Sequence, residues 1–160
     1  MLIEMSIRGL MVDPITNMPI VILKDSTNDR TLPIWVGPVE ANAIAIQIEN
    51  VTPTRPLTHD LLGRVITALD ATLERVLITD LRDSTFYAYL ELRAAGETLL
   101  VDARPSDALA LALRTGVRVF VSDAILDQAK ALDVSTEQAN QERLQRWLES
   151  LDPDDLGYKM

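Results

Sequence analysis

The 160-residue sequence has no cysteine and few aromatic residues. The absence of cysteine excludes disulfides, thiolate zinc sites and cysteine nucleophiles. Aromatic residues are only 4% of the chain, so the hydrophobic core must be built from Leu, Ile, Val and Ala. No apolar run approaches the roughly 18 residues that a membrane span needs. Glu4 and Arg8 also interrupt the apolar start, unlike in a signal peptide. We therefore expect a cytoplasmic protein with no membrane association.

Several familiar catalytic and nucleotide-binding motifs are missing as well. The six glycines form neither a phosphate-cradling loop nor a nucleotide fingerprint. No Ser-His-Asp nucleophile motif is present. The sequence therefore lacks the short motifs by which nucleotide-binding proteins and Ser-His-Asp hydrolases are most often recognised.

Basic residues are in the minority, which bears on nucleic-acid binding. The chain has 15 Lys and Arg against 24 Asp and Glu, a net charge of −9, whereas a generic nucleic-acid binder has a basic surface. The excess of acidic over basic residues is unevenly distributed. Residues 1–120 hold 11 basic and 15 acidic residues, whereas residues 121–160 hold 4 basic and 9 acidic residues. Arg dominates the basic set. That preference suits forked contacts with phosphate or carboxylate, although a genomic codon bias would produce the same ratio.

The hydrophobic patterns predict an α+β fold, with a mostly antiparallel sheet and helices packed on it. Alternating or apolar runs between turn residues predict seven strands. These are LIEMSIRGLMV, PIVILKD, TLPIWVG, RVLITDLR, TFYAYLELR, ETLLVDAR and VRVFVS. Pro33 predicts an edge position for the third strand. Helices are expected from Pro38, after a cap at Thr58, from Pro105 to Gly116, and after Ser122.

The last part of the chain differs from the rest, and we divide the sequence into a domain of residues 1–130 and an extension of residues 131–160. A narrow apolar stripe, ending in an acidic tail, predicts a C-terminal amphipathic helix there. Its apolar residues are Leu144, Trp147, Leu148 and Leu151. Such a helix must pack on its own domain or on a second subunit.

Two polar clusters lie at predicted helix starts. Glu40 in LPIWVGPVEANAI can accept helix N–H groups, or it can serve as a metal ligand or base. His59 is the only histidine and is the natural acid–base candidate, although a lone histidine at a helix start is more often a surface or capping residue. Asp60 diverges from His59 by about 100° around the helix, so a direct relay between the two is not expected.

The third cluster, in VDARPSDALALALR, precedes a helix with no polar side chain from Ala108 to Leu113. Ser106 can cap that helix, and Arg104 can pair with Asp102 or Asp107 across the turn. These residues could serve only to satisfy the free N–H groups of a buried helix. The same arrangement also suits an anion at the helix N-terminus, or a divalent cation held by carboxylates.

Together, the stretches LPIWVGPVEANAIA, RPLTHDLL and VDARPSDALALALR resemble the bifunctional nuclease domain family of bacteria and plants. The resemblance covers about residues 1–130. It implies a compact α+β domain that forms a wedge-shaped homodimer and cleaves both DNA and RNA in a groove.

The resemblance also implies which residues act in a Mg²⁺- or Mn²⁺-assisted phosphodiester hydrolysis. The expected catalytic residues are His59, Asp107 and Glu40. The expected phosphate-binding residues are Arg55, Arg104 and Ser106. The expected metal ligands are Asp102, Asp107 and Asp60.

Two other functions fit the same residues. A non-enzymatic dimeric regulatory or binding module could use the groove for a protein or a small anion, and the acidic balance favours this reading. A metal-dependent phosphoesterase for small nucleotides would need less basic surface than a nuclease does. A basic rim around Arg55, Arg64 and Arg104 would favour nucleic acid.

Overall fold

A computed structural model of the chain describes residues 1–26 and 30–129. Within these residues seven strands form one sheet, with three helices of eleven residues each and further helical residues at 123–129. The strands are β1 (Leu2–Val12), β2 (Pro19–Lys24), β3 (Thr31–Trp35), β4 (Thr72–Arg82), β5 (Thr85–Ala94), β6 (Glu97–Ala103) and β7 (Arg118–Ser122). The helices are α1 (Pro38–Ile48), α2 (Thr58–Ala68) and α3 (Pro105–Thr115).

The strands lie in the order β3-β2-β1-β7-β4-β5-β6. Only the β4–β7 pair is parallel; every other neighbouring pair in the described sheet is antiparallel. This arrangement confirms the predicted α+β fold with a mostly antiparallel sheet. β3 lies at an edge, as Pro33 predicted, since a proline cannot donate a backbone hydrogen bond to a second neighbour.

Tight hairpins connect β4, β5 and β6. Asp83 and Ser84 have φ angles of 49° and 62°, and Ala95 and Gly96 have 52° and 77°. Two successive residues with positive φ make the kind of two-residue turn whose twist matches a hairpin. The short turns hold β6 next to β5, and the end of β6 passes directly into α3 through Arg104.

Helix α3 is the centre of the hydrophobic core. Residues 108–111 are fully buried, and the helix packs against β4, β5 and β7 and also contacts α1 and α2. Alternating Ala and Leu allow this close approach on several sides, which explains the run without polar side chains. Gly116 ends the helix with φ of 73°, the left-handed conformation that glycine adopts readily.

Two surfaces, in contrast, expose apolar residues. No residue of α2 is buried, and Leu61 and Leu69 are 55% and 74% exposed. On the edge strand β6, Leu99, Leu100 and Val101 are also exposed. Each of these surfaces thus brings several exposed apolar side chains together.

Two predicted helix caps are wrong. α2 begins at Thr58, and Leu57 is the capping residue, because Asp60 accepts a hydrogen bond from the Leu57 backbone N–H at 2.9 Å. At α3 the capping position is Arg104, and Ser106 lies inside the first turn without a capping bond.

Two predictions concern residues beyond the described part of the chain. The predicted C-terminal amphipathic helix and the domain boundary at residue 130 lie outside the described residues and stay predictions. In the described residues, no helix combines the length and apolar character that crossing a membrane requires.

Candidate active site

The first turns of all three helices meet at one place in the fold. Glu40 is in the first turn of α1, His59 in that of α2 and Asp107 in that of α3. Arg104, which precedes α3, bonds to two of them. The three polar clusters singled out in the sequence therefore converge, although up to 64 positions separate the bonded residues. We call Glu40, His59, Arg104 and Asp107 the helix-start cluster.

Arg104 bridges two carboxylates. Its Nε donates to Asp107 Oδ2 at 2.9 Å, and its Nη1 donates to Glu40 Oε1 at 2.8 Å. Both bonds raise the pKa of Arg104 above its ordinary value. The pKa of Glu40 is lowered, first by a hydrogen bond from its own backbone N–H and then by the bond from Arg104. Arg104 is 63% exposed all the same, so its guanidinium faces solvent as well as the cluster.

Asp107 links Arg104 to the histidine. His59 Nε2 lies 2.9 Å from Asp107 Oδ1, and the His59 side chain is only 13% exposed. Burial alone would raise the pKa of Asp107, but the hydrogen bonds from Arg104 and His59 outweigh burial and lower that pKa. An ionised carboxylate can only accept hydrogen bonds, so His59 Nε2 is the donor of this bond; in the neutral imidazole Nδ1 is then the acceptor. The tautomer follows from this network.

The helix-start cluster opens into a groove of about 1060 Å³, which we call the cluster groove. Its polar lining includes Asp102 at the end of β6 in addition to the four cluster residues. Apolar side chains form much of the remaining wall, among them Val39, Ile46, Leu62, Leu90 and Val101. The groove thus combines a polar, hydrogen-bonded end with an apolar wall, the usual composition of a ligand site.

Asp60 faces away from this groove and has a different partner. Its Oδ1 accepts from Arg114 Nε at 2.8 Å, while its Oδ2 accepts from the Leu57 N–H. The Arg114 side chain is 5% exposed and also donates to the Ala110 carbonyl, whereas its Nη2 has no partner among the described residues. The first turn of α2 is therefore tied to α3 twice, once through His59 and once through Asp60.

Arg114 is the residue that the sequence analysis missed. It lies seven positions after Asp107, so both side chains project from the same face of α3. That face meets the consecutive residues His59 and Asp60 of α2. A lone basic residue at the end of an otherwise apolar helix, two turns after an acidic one, was the available signal.

A second cavity lies on the other side of the first turn of α2. It has a volume of about 870 Å³ and is bounded by the loop of residues 50–56, by α2 and by the end of α3. Arg55, Arg64 and Arg114 line it, so we call it the arginine cavity. The predicted phosphate-binding residues are consequently divided: Arg104 lines the cluster groove, Arg55 lines the arginine cavity, and Ser106 is buried at 6% exposure and lines neither.

The predicted metal ligands do not come together. Asp102 and Asp107 line the cluster groove, whereas Asp60 lines the arginine cavity. Both oxygens of Asp107 already accept hydrogen bonds. In the described part of the chain no three His, Asp or Glu side chains are placed to hold one metal ion. The arrangement thus does not fit a preformed Mg²⁺ or Mn²⁺ site, and the metal stays a prediction from the resemblance.

Comparison with known proteins identifies a family and several relatives. Residues 21–133 match the family model described as the bifunctional nuclease domain. An uncharacterized protein of Mycobacterium tuberculosis is 42% identical over 162 residues, covering 96% of this chain and 97% of that protein. Bifunctional nuclease 1 of rice, Oryza sativa subsp. japonica, is 27% identical over 109 residues, which are 66% of this chain and 33% of the rice protein.

Proposed function

The chain belongs to the bifunctional nuclease domain family, and from that premise we propose that it hydrolyses phosphodiester bonds of DNA and RNA in the cluster groove. The observation that carries the proposal is the continuous hydrogen-bonded path from Glu40 through Arg104 and Asp107 to His59. A positioned base beside a positively charged group is what phosphodiester hydrolysis requires.

In the proposed reaction His59 handles the proton. With Nε2–H held by Asp107, the unprotonated Nδ1 takes a proton from the attacking water, and the imidazolium that forms is stabilised by the ionised Asp107 carboxylate. The water oxygen forms a new bond to phosphorus as the bond to the leaving oxygen breaks. The imidazolium then returns the proton to that leaving oxygen, so the base is regenerated.

Arg104 stabilises the charge on the phosphate. A guanidinium has five N–H donors, of which Asp107 and Glu40 take two. The remaining donors and the 63% exposure leave Arg104 able to bind phosphate oxygens. Glu40 holds the guanidinium in place by accepting from Nη1. No step of this mechanism is assigned to a metal ion, since no three His, Asp or Glu side chains within residues 1–26 and 30–129 are placed to hold one.

The direct test is cleavage of single- and double-stranded DNA and RNA by pure protein, with Mg²⁺, with Mn²⁺ and with EDTA. His59→Ala, purified identically, is the control for contaminating nucleases. We expect wild-type cleavage to exceed that of His59→Ala by at least about 100-fold, which is the usual contribution of acid–base catalysis. Equal cleavage by both proteins would contradict the proposal. Loss of activity in EDTA would show that a metal is recruited after all.

We also propose that the protein is a homodimer. The exposed residues Leu61, Val65 and Leu69 recur every four positions and form one apolar face of α2. Such a continuous exposed face is typical of an interaction surface. The exposed apolar residues of the edge strand β6 are a second surface of this kind. Light scattering on the wild-type protein tests the proposal, with a monomeric mass as the contrary result.

A second candidate function is a non-enzymatic binding module, and one observation favours it. Glu40, Asp102 and Asp107 place three carboxylates in the cluster groove of a chain with net charge −9. A groove of this kind suits a cationic partner as well as a phosphate held by Arg104. The second candidate would be supported if the protein cleaves no nucleic acid under any of the conditions above but binds a cationic partner in this groove.

A further inference from the structure

The arginine cavity lies next to the cluster groove, with His59 and Arg114 lining both, and has a composition of its own. It lies behind the first turn of α2, and neither Glu40, Asp102, Arg104 nor Asp107 lines it. Its only acidic residue among the described side chains is Asp60, whose charge is compensated at 2.8 Å by Arg114. Arg55 and Arg64 are then in excess, so the cavity is positive on a protein that is acidic overall.

The two excess arginines are available to a ligand. Arg55 and Arg64 are both exposed, and within residues 1–26 and 30–129 neither has an ion-pair or hydrogen-bond partner. Uncharged polar side chains also line the cavity, among them Asn50, Thr54 and Thr67. Arginine forks facing a polar concave surface are the arrangement that binds phosphate groups. The volume of about 870 Å³ is large enough for a nucleotide.

We propose that the arginine cavity is a second phosphate-binding site, in which Arg55 and Arg64 hold the phosphate group of a nucleotide. The phosphate can belong to a free mononucleotide or to the strand whose cleavage we propose in the neighbouring cluster groove. That the ligand is an anion follows from the charges of the cavity alone. That this anion is a nucleotide rests on the proposed function. His59 and Arg114 line both sites, so a strand that occupies both would cross the first turn of α2.

Binding measurements test this site without relying on cleavage. Adenosine 5′-monophosphate, adenosine and inorganic phosphate are titrated by calorimetry against wild type and three variants. Arg64→Gln removes the charge from the cavity, Arg104→Gln removes it from the cluster groove, and Arg118→Gln is a remote exposed control. A short phosphorothioate-linked single strand, which resists hydrolysis, is titrated in parallel by fluorescence anisotropy at several salt concentrations.

We expect Arg64→Gln to weaken phosphate-dependent binding about tenfold, the effect of one charge-assisted hydrogen bond, while Arg118→Gln leaves it unchanged. A free-nucleotide site would show this loss with the monophosphate. A strand site would show it with the oligonucleotide, together with a salt dependence reduced by about 0.7 in log–log slope.

Two results would overturn the proposal. One is binding that Arg104→Gln weakens and Arg64→Gln does not, which would place all phosphate binding in the cluster groove. The other is an absence of binding by every phosphate compound. A protein without nuclease activity that still binds through Arg64 would refute the proposed reaction and leave this site intact.

Discussion

On each side of the first turn of α2, a side chain of α2 bonds to a charged residue of α3, but the two bonds have different surroundings. On one side His59 bonds to Asp107 of α3, and on the other Asp60 bonds to Arg114 of the same helix. Both oxygens of each carboxylate accept hydrogen bonds, but the second partner of Asp107 is Arg104 of the cluster groove, whereas the second partner of Asp60 is the Leu57 N–H. The comparison teaches that two acidic residues at neighbouring helix starts can have different surroundings: Asp60 ties α2 to α3, whereas Asp107 faces the groove in which we propose the reaction.

The largest expected effect is on catalysis at Arg104. We expect Arg104→Met to lower the cleavage rate about 100- to 1000-fold, because the charge that faces the phosphate is removed. The cost to stability should be small, since the side chain is 63% exposed. Single-turnover rates on one labelled strand measure the effect, with Arg118→Met as the matched exposed control. Similar rates for both variants would remove Arg104 from the site.

The next effect is on stability and concerns Arg114. We expect Arg114→Met to lower the free energy of unfolding by about 3 kcal/mol, because it leaves Asp60 without its buried partner. Urea denaturation measures the change. The double variant Arg114→Met/Asp60→Leu should recover part of the loss, since it removes the unpaired carboxylate as well. A double variant as unstable as the sum of the two single variants would show that the pair is not coupled.

A further effect separates assembly from folding. Leu69→Glu on the exposed face of α2 should abolish dimer formation and change monomer stability by less than about 0.5 kcal/mol, because surface substitutions away from packed groups are tolerated. Light scattering over a concentration series gives the assembly state. The matched control is Thr67→Glu, which is exposed on the same helix but lines the arginine cavity. A dimer that survives Leu69→Glu would place the interface elsewhere.

The smallest effect is the response to acid. The lowered pKa values of Asp107 and Glu40 mean that the unfolded chain binds protons more readily near their ordinary values of 3.8 and 4.5. The stability that these groups contribute is therefore complete above that range and is lost as pH falls through the lowered values. Urea midpoints from pH 6 to pH 3 should fall less steeply in Asp107→Asn than in the wild type. Identical slopes would show that Asp107 makes no such contribution.

Much of the fold could be predicted from local patterns. Alternation located the strands, Pro33 indicated an edge, and Pro105 with Gly116 bounded α3. These features depend on neighbouring residues, which the sequence displays directly. The parallel pairing of β7 with β4 could not be predicted in the same way, because nothing near Arg118 specifies which distant strand lies beside it.

The candidate site could be predicted only in part, for the same reason. Glu40, His59 and Asp107 were recognisable as helix-start residues, and the resemblance linked them. Asp60 lines the arginine cavity and Asp102 lines the cluster groove. This separation depends on where α3 packs against α2, and no neighbouring residue in the sequence indicates it. Arg114 lies in the last turn of α3, where a basic side chain needs no specific partner, and its contact with Asp60 depends on how α2 packs on α3.

The central claim is that Asp107 serves the reaction while Asp60 serves the structure. The most direct test compares the cleavage rates of Asp107→Asn and Asp60→Asn, both prepared in the same way and checked for folding by circular dichroism. Asp107→Asn should lose at least about 100-fold in rate, because His59 is no longer held in the required tautomer. Asp60→Asn should stay within about tenfold of the wild type. Equal losses in the two folded variants, or a larger loss in Asp60→Asn, would contradict the account.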